Sequence, residues 1–194
     1  GFPGERSGFL PASEGWSEVE YAALCCGYGF NLTAPQLARA YGVLAADGVR
    51  RPVTLLRRDG VPDGERVFSP QVASQVRAMM ESVTAEGGTG KRASIPGYRV
   101  AGKTGTAKKA TERGYVDGVY QSVFAGMAPA SRPRYVMVVM IDEPKGDEYY
   151  GGLVAAPVFA KVMRAALRLN NVPPDDPQRS LRLADLFEES GADR

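Results

Sequence analysis

Lys103-Thr104-Gly105-Thr106 puts an ammonium group, two hydroxyls and a glycine into four consecutive residues. The chemistry open to such a set is anion binding. Ammonium and hydroxyl groups donate to a carboxylate, a phosphate or a developing oxyanion, and a glycine lets the ligand approach the backbone closely. Two patterns overlap there. Gly97-Tyr-Arg-Val-Ala-Gly102-Lys103-Thr104 fits G-x-x-x-x-G-K-[ST], whose backbone amides cradle nucleotide phosphates. Lys103-Thr104-Gly105 is also the K-T-G element that lines one side of a serine-dependent acyl-transfer site.

The residue inventory limits which nucleophile could act beside this stretch. The chain of 194 residues has no histidine, which excludes Ser-His-Asp and Cys-His machinery and His-ligated metal sites within it, so lysine must supply any base. No serine is followed three positions later by lysine, and no Ser-x-Asn occurs. Cys25 and Cys26 are adjacent, too close for an ordinary disulfide and not a metal pattern, and read as small core residues. With 24 basic and 22 acidic residues and a net charge of +2, the chain lacks the basic field that nucleic acid demands. No metal and no cofactor is expected, nor any nucleic-acid partner. No apolar run approaches the ~20 residues of a membrane span. Because Gly1 is not an initiator methionine, we expect further sequence upstream.

The elements that must position this stretch follow from capping and periodicity. Gly1 to Gly15 reads as loop, and Trp16 to Cys26 fits either a helix or an extended segment. Thr33-x-x-Gln36 is a capping box, and Leu37, Ala40, Tyr41 and Leu44 repeat at helical spacing until Gly48. Pro52 to Leu56 and Arg66 to Phe68, separated by Asp59-Gly60 and Pro62-Asp-Gly64, predict a small hairpin. Ser69-Pro70 opens a second helix with Val72, Val76, Met79 or Met80 and Val83 on one face, ending at Gly87-Gly88. Strands are predicted over Tyr98 to Lys108, Gln121 to Ala128 and Arg134 to Asp142, the last two antiparallel because Pro129 to Pro133 is too short for a crossover. Tyr149 to Gly152 reads as a loop before a third helix from Ala156-Pro157, carrying Val158, Phe159, Val162, Met163, Ala166 and Leu167. This gives a main unit over 1–172. A weakly ordered polar tail follows over 173–194, with a short helical turn near Leu181 to Phe187.

These elements weigh the two patterns. In favour of a nucleotide site, Val136 to Glu143 resembles the apolar strand with a terminal Asp-Glu of P-loop ATPases. A phosphate loop, however, needs a buried strand before its first glycine and a helix opening at its Lys-Thr. Lys91 to Pro96 is polar, and the residues after Thr104 carry Gly105, Gly114 and Gly118 with no helical period. If Tyr98 to Lys108 is instead a strand, Lys103 and Gly105 share one face and Thr104 and Thr106 the other.

Resemblance over most of the chain favours the acyl-transfer pattern. Gly1-Phe-Pro-Gly4, Gly27-Tyr-Gly29 with Thr33 to Ala38 and Tyr41, Ala101 to Ala107, Phe124 to Pro129, Ile141 to Pro144, and Tyr150-Gly-Gly152 with Ala156 to Phe159 occur in this order. As a set they resemble the class B penicillin-binding proteins, and among these the division-specific septal D,D-transpeptidases of Gram-negative bacteria. The resemblance implies an α+β fold of the penicilloyl-serine-transferase (β-lactamase and transpeptidase) type, an antiparallel sheet flanked by helices, of which this chain is the C-terminal portion. It implies cross-linking of peptidoglycan stem peptides in septal wall synthesis, and β-lactams as ligands. Lys103 and Thr106 would be catalytic, and Thr104, Gly105 and Thr106 would bind substrate. Tyr120, Tyr149 and Tyr150 match an aromatic wall near the substrate side chain, unless they simply pack on a sheet edge. The missing Ser-x-x-Lys and Ser-x-Asn depart from the family pattern, so nucleophile and base are expected in an upstream part of the same protein. The resemblance further implies division-complex partners and the periplasmic face of the bacterial inner membrane. A non-catalytic β-lactam-sensing relative would also keep K-T-G. Cys25-Cys26 stands where relatives carry Ser-Phe.

Overall fold

The computed structural model of the protein describes residues 4–12, 14–111 and 114–177. Its centre is a three-stranded antiparallel sheet in the order β3-β4-β5, with β3 at Ala101–Thr111, β4 at Gly114–Ala128 and β5 at Tyr135–Asp142. Register runs from Ala101 opposite Met127 to Lys108 opposite Tyr120, and from Gln121 opposite Asp142 to Ala128 opposite Tyr135. The predicted antiparallel link between the last two strands is therefore present. The nucleotide pattern fails on its required context, because Gly102, Lys103 and Thr104 lie inside a strand that continues to Thr111 with no helix at the Lys-Thr.

Helices cover both faces of the sheet. On one side α5 (Ala156–Leu169) buries Phe159, Met163 and Leu167, a stripe at spacing four, against Phe124, Ala128 and the inward residues of β5. Phe124 and Phe159 meet edge to face at 4.8 Å. Val158 and Val162, predicted with that stripe, stay about half exposed because they sit one position off it. On the other side α2 (Ala34–Ala45) and α3 (Pro70–Glu81) close over Ala101, Met127 and Ala130 through Tyr41, Leu44, Ala45 and Met80. Both capping predictions hold: Thr33 and Gln36 bond reciprocally, and Ser69 Oγ accepts the Val72 amide.

The buried face of α3 differs from the predicted one. Val72 is exposed, Met80 rather than Met79 turns inward, Val76 and Val83 are half-buried, and the buried positions of the helix are Ala73 and Arg77. Arg77 has only 8% of its surface exposed. It donates to the Leu44 carbonyl at 2.6 Å and pairs with Asp47 at 2.8 Å, joining α3 to the end of α2. Its aliphatic stem is buried with the rest of the side chain, while the guanidinium satisfies a helix-end carbonyl.

One open reading is resolved, and two further elements depart from expectation. Trp16 to Cys26 resolves as a helix, α1 (Glu18–Cys25), started by a Ser17–Glu20 capping box, and the bond from the Ser17 amide holds the Glu20 carboxyl below its usual range. No residue of α1 is buried, and Cys25 and Cys26 are exposed rather than in a core. The hairpin exists, but its strands are β1 (Val49–Arg50) and β2 (Glu65–Arg66). Pro52 to Leu56 is loop, with Leu55 and Leu56 77% and 80% exposed, because proline cannot donate to a ladder and no described element packs over the run. Tyr149 to Gly152 is not all loop, since Gly151–Val154 forms a single helical turn, α4, in front of α5.

The beginning of the expected polar tail is tied to the fold. Asp175 accepts the amides of Arg99 and Ser131 and the Ser131 hydroxyl, and the Asp176 amide reaches the Gly97 carbonyl. The helical turn near Leu181 to Phe187 lies outside the described residues.

Candidate active site

β3 is an edge strand of the three-stranded sheet, so one side of Lys103 to Thr106 has no neighbouring strand among the described residues. Its alternation follows the sequence expectation. Ala101 is buried on the α2/α3 side, and Lys103 and Gly105 follow on that face. Lys103 is exposed and its ammonium donates to the Thr104 carbonyl at 2.9 Å.

Thr104 and Thr106 lie on the opposite face, and each hydroxyl has a partner. Thr104 Oγ1 is 3.1 Å from Thr89 Oγ1, and Thr106 Oγ1 accepts the Gly151 amide at 3.0 Å. A threonine hydroxyl has one hydrogen and two lone pairs. At Thr106 the Gly151 amide occupies a lone pair and leaves the hydrogen to donate to an anion. Ser122, the cross-strand partner of Thr106, is fully buried and its hydroxyl donates to the Tyr149 carbonyl. The segment before α5 is thus fastened to the middle of the sheet.

The three tyrosines form one continuous stack. Tyr120 and Tyr149 are 4.1 Å apart between ring centroids and 11° from parallel, and Tyr149 and Tyr150 are 4.5 Å apart at 30°. The Tyr149 and Tyr150 hydroxyls are 3.2 Å apart, and that hydrogen bond raises the Tyr150 phenol above its ordinary value. On the other flank Arg92 makes a two-pronged contact with Glu148 at 3.1 and 3.4 Å and also donates to the Leu153 carbonyl.

Glycines around the site divide into two kinds. A Cβ on Gly151 falls 2.3 Å from the Val123 carbonyl oxygen and 2.4 Å from that of Gly105. On Gly152 it meets the Thr89 carbonyl oxygen at 2.0 Å, and on Gly102 the Phe124 ring at 2.5 Å. The fold itself demands glycine at those three positions. Among the described residues, a Cβ at Gly105 meets only Val123 Cβ, at 3.7 Å, an ordinary contact. Packing among the described residues does not require the glycine of K-T-G.

All seven residues singled out from sequence lie on β3, β4 and the segment before α4; Thr106 and the three tyrosines are linked through that segment, while Lys103 and Gly105 take the other face of β3 from Thr104 and Thr106. Sequence reasoning missed Thr89, Ser122 and the Gly151 amide. Thr89 lies in a Gly-rich stretch with no motif, Ser122 inside an apolar strand, and the Gly151 amide is a main-chain group that no pattern of side chains reveals.

Residues 1–164 match the transpeptidase family described as the penicillin binding protein transpeptidase domain, and the chain belongs to that family. It is 46% identical over 185 residues to the probable peptidoglycan D,D-transpeptidase PbpC of Pseudomonas aeruginosa, covering 95% of this chain and 33% of that protein. To the peptidoglycan D,D-transpeptidase FtsI of Escherichia coli K12 it is 46% identical over 175 residues, covering 90% of this chain and 30% of that protein. The chain spans about a third of the length of these curated relatives. Among solved structures, the apo TP domain of Burkholderia pseudomallei penicillin-binding protein 3 superposes with a TM-score of 0.85 at 45% identity, covering 91% of this chain and 54% of that one. The fold is thus the α+β penicilloyl-serine-transferase type expected from the resemblance.

Proposed function

We propose that these residues form the K-T-G wall of a serine-type peptidoglycan D,D-transpeptidase that cross-links stem peptides in septal wall synthesis and is acylated by β-lactams. The observation that carries this reading is Gly105, a glycine at a sheet edge that internal packing does not need, between two hydroxyls and beside an exposed ammonium. An absent side chain leaves room for an acyl ligand to lie along the strand.

In this reading the substrate carboxylate is held by the Thr104 and Thr106 hydroxyls, and Lys103 balances negative charge at the reacting centre. The Thr106 amide gives one half of the oxyanion hole, a contribution worth ~3 to 4 kcal/mol of barrier. Tyr120, Tyr149 and Tyr150 flank the substrate side chain. A serine attacks the penultimate D-alanine carbonyl and expels the terminal D-alanine, and the acyl group then passes to an amine of a neighbouring stem peptide. These residues contain no Ser-x-x-Lys, so nucleophile and base come from an upstream part of the same protein. The same reading sets the protein at the periplasmic face of the bacterial inner membrane, with division-complex proteins as its partners.

The test is acylation of the full-length protein by a fluorescent penicillin. Lys103→Ala and Thr106→Pro are each expected to slow it at least ~100-fold, the scale of losing an oxyanion-hole donor. Acylation at the normal rate in both variants would remove these residues from the site. Penicillin binding without cross-linking or trimming of stem peptides would favour a β-lactam sensor instead.

A further inference from the structure

The ladder between β3 and β4 breaks at one place. Lys108 still faces Tyr120, but the next pair is Ala110 with Tyr115, so Lys109 alone stands opposite the four residues Val116 to Val119. β4 leaves the ladder there and returns with Gly118 at φ +77°. Immediately after the break comes Tyr120, the first ring of the tyrosine stack. β5 ends at the same level: Asp142 is paired with Gln121, and Glu143, at φ +51°, donates its amide to the Tyr120 carbonyl at 2.9 Å.

Lys109 reaches across this gap. Its ammonium lies 2.7 Å from an Asp142 carboxylate oxygen and 2.9 Å from one of Glu143. It thereby joins the first strand to the end of the third, over the irregular stretch of the second. The contacts hold the Lys109 ammonium protonated above its ordinary range and the Glu143 carboxyl below its own. Two adjacent carboxylates at a strand end repel unless a cation sits between them. Lys145, 3.5 Å from Glu143, is the only other cation paired with either of them among the described residues.

We propose that Lys109 is a positioning residue for the aromatic wall: by clamping Asp142 and Glu143 across the β3–β4 break, it fixes the Tyr120 backbone and so the Tyr120–Tyr149–Tyr150 stack. Lys109 touches no part of the K-T-G group itself. Its influence falls on recognition of the substrate or inhibitor side chain and leaves acyl-transfer chemistry alone. This rests on the reading of the site given under Proposed function.

The experiment compares acylation of the full-length protein by benzylpenicillin, which carries an aromatic side chain, and by 6-aminopenicillanic acid, which carries none. Lys109→Met is expected to slow the first about fivefold, within the range that an oriented aromatic contact is worth, and the second by less than about twofold. Lys109→Arg keeps a cation in reach and is expected to restore the ratio, and Lys145→Ala to leave it unchanged. In a Tyr120→Ala background, Lys109→Met is expected to change the ratio no further. Equal slowing with both compounds, as from general unfolding, overturns the proposal. So does an unchanged ratio, or an additive effect in the Tyr120→Ala background. A wild-type protein acylated by neither compound defeats the transpeptidase reading itself, and the positioning role with it.

Discussion

The α5 side of the sheet and the segment formed by α1 and the 52–61 loop are both rich in apolar residues, yet only the first is packed. Phe159, Met163 and Leu167 have at most 1% of their surface exposed, whereas Val19 in α1 has 79% and Leu56 in the loop 80%. Apolar content alone does not make a core. A stripe becomes a core where the chain also supplies the opposing surface, and for α5 that surface is Phe124, Ala128 and alternate residues of β5. For α1 no described element provides one.

The largest expected contrast is in stability. Phe159→Ala empties a closed site and should cost about 3 to 5 kcal/mol in urea unfolding of this chain, against less than about 0.5 kcal/mol for Leu56→Ala. A comparable loss for Leu56→Ala would show that the loop is buried in solution. Next comes the pair of glycines. Gly151→Ala forces a Cβ against two carbonyl oxygens and should cost about 1 to 3 kcal/mol, while Gly105→Ala should leave the unfolding midpoint nearly unchanged and slow acylation by penicillin about tenfold or more. If Gly105→Ala lowers stability as much as Gly151→Ala, the open strand edge is structural and the argument for a ligand there fails.

Arg77 tests the other face of the sheet. Arg77→Met keeps the stem but leaves the Leu44 carbonyl without its donor, and a loss of about 1 to 3 kcal/mol is expected by thermal or chemical unfolding. Stability equal to wild type would show that water replaces the guanidinium. The smallest effect is a pH dependence at the partly exposed Lys109 clamp. The folded Glu143 carboxyl is held below its ordinary 4.5, chiefly by Lys109, so the pair contributes stability above that value and loses it as the pH falls through the lower folded one. The melting temperatures of wild type and Glu143→Gln should therefore differ slightly at neutral pH and converge in acid.

Much of the fold was legible because the signals were local. Thr33-x-x-Gln36 and Ser69-Pro70 start helices through bonds within one turn, and Pro129 to Pro133 is short enough to force antiparallel strands. The Ser17–Glu20 capping box of α1 is equally local but was not read, because the segment has no apolar period to draw attention to it. The α3 face was misread because hydrophobicity scores whole side chains, and Arg77 is apolar along its stem and polar only at its tip. The β1–β2 hairpin shifted from Pro52 to Val49 because ladder hydrogen bonds, not β propensity, set strand limits.

The sequence by itself determined the local matters: which residues cap helices, which alternate along β3, and that Lys103-Thr-Gly-Thr106 is a strand and not a phosphate loop, since no helix signal follows it. Tertiary structure alone decided what surrounds that strand. The Gly151 amide on Thr106, Thr89 against Thr104, Ser122 under Tyr149 and the Lys109 clamp join residues 15 to 45 positions apart. Contacts at that separation arise from strand pairing and from the return of the chain before α5, and one-dimensional spacing encodes neither.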